Sequence, residues 1–174
     1  SLSHCVEEAK ADITVATNLM ESRTLAGNVE LRLQMEEKTG PAKIWPAEDF
    51  FRAKYDEQNQ RHEKHGNTEY NLEPNIKEAP GGLRDIQTIG WVAKRHFHKR
   101  SLAELANTHF LAAEEYELLR KGQAFLWRVR YGLHLIAGRP EERLLFDSQR
   151  KLAQMFGYKD TKERLAVEQF IQRL

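Results

Sequence analysis

The sequence predicts an all-α protein, a helical bundle-like domain interrupted by one irregular Pro/Gly loop, and three observations carry that reading. Apolar residues recur at three- and four-residue intervals through most of the 174 residues, the spacing of one helix face. Good helix formers fill the positions between them, and Gly, Pro and capping residues stand at the ends of the periodic runs. No strand–helix–strand pattern and no internal repeat interrupts the series.

Taken in order, Val6, Ala9, Ile13, Ala16 and Met20 mark one or two helices with a possible break near Asp12, and Arg23 to Asn28 reads as a turn. Val29, Leu31, Leu33 and Met35 alternate as a strand would. Glu30, Arg32, Gln34, Glu36, Glu37 and Lys38 nevertheless favour a helix, which Gly40-Pro41 stops. Pro46 suits the opening turn of the next helix, which carries Phe50, Phe51, Ala53 and Lys54 and runs to His65 before Gly66 ends it. Asn67 to Pro80 has Pro74 and Pro80 and few periodic apolar residues, so it is expected to be an irregular connection, long for a compact domain and for that reason a candidate for function.

Leu83, Ile86, Ile89, Ala93 and Phe97 then define an amphipathic helix that opens directly from Gly81-Gly82. Ser101 can cap a short helix to Asn107. Leu118, Leu119, Phe125, Leu126, Val129, Leu133 and Ile136 form the strongest stripe in the chain, closed by Gly138 and Pro140. Asp147 is the expected cap of a helix through Met155 that Gly157 stops, and Thr161 the expected cap of a last helix through Leu174.

Composition narrows the classes of function. A chain of this size can bury about 70% of its unfolded surface, enough for a core without staples. No run approaches the ~20 apolar residues of a membrane span, and 27 Lys and Arg against 26 Asp and Glu leave no field to draw in nucleic acid or anionic lipid. The lone Cys5 has no disulfide or metal partner at useful spacing and reads as a packing residue of a reduced, cytoplasmic chain. Ser1 is not an initiator methionine and Leu174 falls inside an expected helix, so the chain reads as an internal segment of something longer.

Two clusters exceed what helix packing needs. In the run from Asn71 to Ile86, glycines at a helix start would leave N–H groups open at the positive end of the dipole, with Lys77 and Arg84 nearby, a combination that suits phosphate. The plainer reading is a tight Pro80-Gly81-Gly82 turn with Asp85 capping or pairing at the helix start and Lys77 solvated. The second cluster, Arg128, Arg130, His134, Arg139 and Arg143, could capture phosphate or carboxylate, or could simply pair with Glu141, Glu142 and Asp147. His62, His65, His96 and His98 lack a metal-ligand spacing. Trp45, Trp91 and Trp127 lie in unrelated elements and are assigned to packing.

The string Tyr70-Asn-Leu-Glu-Pro-Asn-Ile-Lys-Glu-Ala-Pro-Gly-Gly-Leu-Arg-Asp-Ile-Gln-Thr-Ile89 resembles the bacterial bifunctional uridylyltransferase and uridylyl-removing enzymes. Ala11-Asp-Ile-Thr-Val-Ala-Thr-Asn-Leu-Met-Glu-Ser-Arg23, Glu57-Gln-Asn-Gln-Arg-His62 and Arg143-Leu-Leu-Phe-Asp-Ser-Gln149 are similar to the same family in the same order. The resemblance implies a nucleotidyltransferase domain that moves UMP from UTP to a tyrosine of the PII signalling protein with Mg²⁺, an HD domain that removes it, and ACT domains that sense glutamine. It implies that residues 1–40 are the helical tail of the nucleotidyltransferase domain and 41–174 the helical domain that follows. Neither the Asp-x-Asp pair that would hold Mg²⁺ nor a His-Asp doublet occurs in this chain, so no catalytic or metal residue is assigned and the segment is expected to be inactive alone.

On that resemblance, Lys77, Gly81, Gly82 and Arg84 are expected to meet the UTP phosphates, with Asp85 orienting them and Arg23 assisting, while Glu78 and Ala79 are given no role. The sibling enzymes that adenylylate glutamine synthetase carry a similar loop, but the Asn71-Leu-Glu-Pro74 lead and the Arg143 to Gln149 string favour the uridylyl branch. A helical module that binds a partner protein without nucleotide is the remaining rival, and a nucleic-acid binder is disfavoured by the charge balance.

Overall fold

The computed structural model describes residues 1–67, 71–97, 104 and 111–174. Its helices are α1 (Leu2–Ala11), α2 (Ile13–Met20), α3 (Val29–Thr39), α4 (Ala47–Lys64), α5 (Leu83–Phe97), α6 (Ala113–Ala137), α7 (Phe146–Met155) and α8 (Ala166–Arg173). Among the described residues the only bridge of β type joins Asn75 and Arg143, so the all-α expectation holds. No helix among them is long and apolar enough to cross a membrane. Apart from Glu104, the helix expected from Ser101 to Asn107 lies outside the described residues.

The chain packs as two compact units, Ser1–Gln58 with Thr88–Leu111 and Asn59–Gln87 with Ala112–Leu174. The boundary that the resemblance implies, near residue 40, falls inside the first of them.

In the first unit, Asp12 makes the expected break. Its N–H completes α1 on the Glu8 carbonyl, and its carboxylate accepts the Thr14 N–H at 2.6 Å to start α2. Ala9, Ala16 and Ile44 form the buried centre where α1 and α2 meet the turn after α3. That turn ends at Trp45, which adopts a left-handed φ of 46°, a conformation that costs a side chain roughly 1–2 kcal/mol. Two groups hold it: the indole N–H donates to the Ala9 carbonyl at 2.7 Å, and the Trp45 carbonyl accepts from Arg95 Nε at 2.8 Å.

Arg95, on α5 and only 3% exposed, also donates to the carbonyls of Thr39, at 3.0 Å, and of Ile44. Its guanidinium carbon stands 5.4 Å from the Phe50 ring. Burial pulls its pKa down to about 10, which leaves it charged at neutral pH. Lys54 is likewise buried, its ammonium 2.7 Å from Glu57 and 4.6 Å from the Trp91 ring centre. Phe50 is buried, whereas its neighbour Phe51 is more than half exposed.

In the second unit α6 supplies Val129 and Leu133 to a core completed by Ile76, Leu144, Leu152, Ala153, Ala166 and Phe170. Phe170 meets Phe156 and Tyr158 edge-on at ring separations of 5.8 and 6.0 Å. Gly138 ends α6 in the left-handed conformation, as expected.

Both expected caps downstream are corrected. Asp147 lies inside the first turn of α7, where the Phe146 N–H is taken by Glu73 from the loop. Thr161 closes a turn on the N–H of Arg164, and α8 begins at Ala166, whose N–H goes to Asp160. Two residues read as core prove exposed: Leu118 at 73% and Trp127 at 43%. Trp91 is buried and Trp45 half-buried, as assigned.

Candidate functional site

The loop between α4 and α5 is irregular, as expected, yet extensively braced within the second unit. Asn75 Oδ1 accepts the N–H groups of Lys77 and Glu78 at 3.1 and 2.8 Å, folding the chain back toward α5. On the other side the Ile76 N–H donates to the Glu142 carbonyl, and the Leu144 N–H to that of Pro74, both at 2.9 Å. Glu73 accepts from the Phe146 N–H at 3.0 Å and pairs with Arg143 at 3.3 Å. The buried Gln149 amide donates to the Leu72 and Leu144 carbonyls at 2.6 and 3.0 Å. The Asn71 lead and the Arg143 to Gln149 string, singled out separately in the sequence, are therefore two sides of one brace.

At the α5 start the structure corrects one expectation. The N–H groups there are not open. Asp85 Oδ2 accepts the Gly81 N–H at 2.8 Å, and the N–H groups of Gly82, Leu83 and Arg84 go to the carbonyls of Ala79, Ile76 and Lys77 at 2.9, 3.1 and 2.8 Å. The loop's own acceptors occupy the positive helix end, and what it offers an anion is side chains.

Those side chains form a charged set. Asp85 receives Arg61 Nη2 at 2.6 Å and His62 Nε2 at 3.0 and 3.1 Å. Arg61 also donates to the Glu78 carbonyl at 2.7 Å. Glu78, given no role by the sequence, lies between Lys77 at 3.3 Å and Arg84 at 3.4 Å. Burial pushes its carboxyl up, but the Arg84 charge and hydrogen bond, then Lys77, outweigh this and hold it below the usual range. Among the described residues, Arg61, Lys77 and Arg84 thus gather around two carboxylates, Glu78 and Asp85.

Lys77, Gly81, Gly82, Arg84 and Asp85 are all brought together here, whereas Arg23 belongs to the first unit, exposed in the turn after α2. Arg61 and His62 were missed as site residues, although the string ending in His62 was itself a signal. The second cluster follows its plainer reading in part. Arg130 forks onto Glu142 at 2.6–3.0 Å and Arg139 pairs with Glu141 at 2.6 Å, while Arg143 goes to Glu73 and Asp147 to Arg150.

Behind the loop lies a cleft of about 730 Å³ whose walls include Leu72, Ile76, Leu126 and Phe146 with the amides of Asn75 and Gln149. No group of three or more His, Cys, Asp or Glu among the described residues could hold a metal, and Glu78 and Asp85 are committed to cations, so these residues do not fit Mg²⁺.

The two glycines have different jobs. A Cβ on Gly82 would stand 2.8 Å from the carbonyl oxygens of both Ala79 and Lys77, so that glycine closes the turn. Gly81 has open space around it but a φ of +76°. Gly82→Ala should therefore destabilise the second unit by about 2–3 kcal/mol and Gly81→Ala by about 1 kcal/mol. Urea denaturation of the two variants checks this, and equal effects would contradict it.

Fold and loop together define the class: an all-helical domain in which one braced polar loop presents paired basic side chains at a helix start. The chain belongs to the GlnD PII-uridylyltransferase family, whose model matches residues 49–174. Over 173 residues it is 55% identical to the bifunctional uridylyltransferase/uridylyl-removing enzyme of Azotobacter vinelandii (strain DJ). It is 54% identical to the enzymes of that name from Stutzerimonas stutzeri (strain A1501) and Pseudomonas aeruginosa (strain UCBPP-PA14). Each match covers 99% of this chain but 19% of the relative, so the chain spans about a fifth of the length of these enzymes. No solved structure matches the chain.

Proposed function

We propose that this chain is the helical part of an enzyme that transfers UMP from UTP to a tyrosine of the PII protein, and that its loop supplies Lys77 and Arg84 to the UTP phosphates. The observation that supports this is the sharing of one carboxylate, Glu78, by both cations at 3.3 and 3.4 Å. Neither pair is short, and a phosphate offers several charged oxygens where Glu78 offers one contact to each. Gly81, Gly82 and Asp85 act on this reading by fixing the loop's shape. Mg²⁺ and its carboxylates would come from a nucleotidyltransferase domain, removal of UMP from an HD domain and glutamine sensing from ACT domains, so this segment alone transfers nothing.

In the full-length enzyme, Lys77→Ala should lower UMP transfer at subsaturating UTP by roughly 10- to 100-fold, the worth of one charge-assisted contact, while leaving the melting temperature nearly unchanged. Unaltered UTP kinetics in a normally folded variant would reject the proposal.

A further inference from the structure

Arg61 reaches the loop with its whole guanidinium, and one nitrogen of it is left over. Nη1 donates to the Glu78 carbonyl at 2.7 Å and Nη2 to Asp85 at 2.6 Å. Nε is buried and hydrogen-bonds to nothing among the described residues. A buried N–H in that state is costly, and a guanidinium gains by closing it on a carboxylate. Glu78 Oε2 stands 3.8 Å away, too far for a hydrogen bond but near enough that a shift of roughly 1 Å would make one.

The other oxygen of the same carboxylate is held back. Glu78 Oε1 lies 3.3 Å from Lys77 Nζ and 3.4 Å from Arg84 Nη2, so the group hangs between two cations on one side and Arg61 on the other. Its backbone cannot follow a change of partner, because the Glu78 N–H is fixed to Asn75 Oδ1 at 2.8 Å and its carbonyl to Arg61. Only the side chain can turn, about its own torsions. Two places for one carboxylate, with a stretched contact at each, make a two-position element inside a braced loop.

We infer that Glu78 is a resident anion that the ligand's phosphates must displace, and that it turns onto Arg61 Nε as they take Lys77 and Arg84. This deepens, and rests on, the reading that those two cations meet the UTP phosphates. Displacing a carboxylate that already answers the cations opposes binding, and the new Glu78–Arg61 bond offsets part of that opposition. Glu78 thereby sets the concentration of UTP at which the loop fills.

The test compares full-length wild type with Glu78→Gln, Arg61→Lys and the double variant, with Lys77→Ala as the control for the loop. UTP kinetics with PII are read beside direct binding of inorganic triphosphate by calorimetry. Glu78→Gln keeps the shape of the side chain and removes its charge. KM for UTP and Kd for triphosphate should then both fall by about fivefold, the difference between a charged and a neutral partner. Arg61→Lys removes Nε and should raise KM for UTP. Much of that rise should vanish once residue 78 is glutamine, since no carboxylate then needs a new partner.

A rise in both constants in Glu78→Gln, with normal melting, overturns the inference and makes Glu78 a support that positions the cations. Unchanged constants in Glu78→Gln, where Lys77→Ala weakens both, overturn it as well and leave the transferase reading intact. Additivity of the Arg61 and Glu78 changes rejects Arg61 as the receiving partner, and if Arg61→Lys fails to fold, Glu78→Gln decides alone. Should neither Lys77→Ala nor Glu78→Gln alter UTP use or triphosphate binding, the loop meets no phosphate and both readings fall. Tighter triphosphate binding by Glu78→Gln in an enzyme whose UTP kinetics ignore Lys77 would sink the UTP assignment and keep the displaced anion.

Discussion

Replacing Arg95 by methionine should destabilise the first unit by about 3–5 kcal/mol, the largest single effect expected anywhere in the chain. Methionine keeps most of the stem's volume but removes every donor. The carbonyls of Thr39, Ile44 and Trp45 would then lose partners they meet 50 to 56 residues away in sequence. These carbonyls stand at the last residue of α3 and in the turn that follows it, where no ladder of backbone bonds can replace the guanidinium. The Trp45 backbone, held at φ 46°, would lose its restraint at the same time. Arg95→Lys should recover only part of the loss, since an ammonium is a point donor and cannot fork across three acceptors. Hydrogen exchange at residues 39–45, read with urea denaturation, measures both variants. Unchanged protection there in Arg95→Met would mean that the carbonyls find other partners and that the clamp is not real.

Asp85→Ala is the second large effect, expected at about 2–4 kcal/mol in the second unit, because it leaves the guanidinium of Arg61 without its closest counter-charge at a position only 11% exposed. The same change removes the acceptor of the Gly81 N–H and of His62, so the loop should open locally before the unit melts. A double-mutant cycle makes the prediction specific: once Asp85 is gone, Arg61→Ala should cost much less than it does in the wild type. Simple additivity of the two changes would show that Arg61 and Asp85 do not act as a unit. In the full-length enzyme the opened loop should also lower transfer from UTP, with Lys77 and Arg84 still present but no longer held at one place.

Glu78 shows why the loop's chemistry was only half readable. Glycines, a lysine and an arginine before a helix suit an anion or a plain tight turn equally in kind, and it was the resemblance that singled out Lys77, Gly81, Gly82, Arg84 and Asp85. The local pattern also led to open backbone donors, and there the structure differs: Asp85 and the carbonyls of Ile76, Lys77 and Ala79 already fill them. Whether a helix start is open depends on where the preceding loop folds. That path is set here by Asn75 and by the bridge to Arg143, neither of which the local pattern announces.

What the sequence by itself determined is everything with a local cause. It set the all-helical class, the Asp12 break between α1 and α2, the helical rather than extended α3, the opening of α5 from Gly81-Gly82 and the Gly138 stop. Each of these follows from propensity, spacing or a cap within a few residues. Only the tertiary structure decided which distant groups meet: Asp85 with Arg61 and His62 across 24 and 23 residues, Gln149 with Leu72 across 77, and Arg95 with the carbonyls of Thr39, Ile44 and Trp45. It also decided that Trp127 faces outward. A helix with apolar residues on more than one face can bury any of them, and the choice belongs to the neighbours that cover it, because periodicity records a face without recording what packs against it.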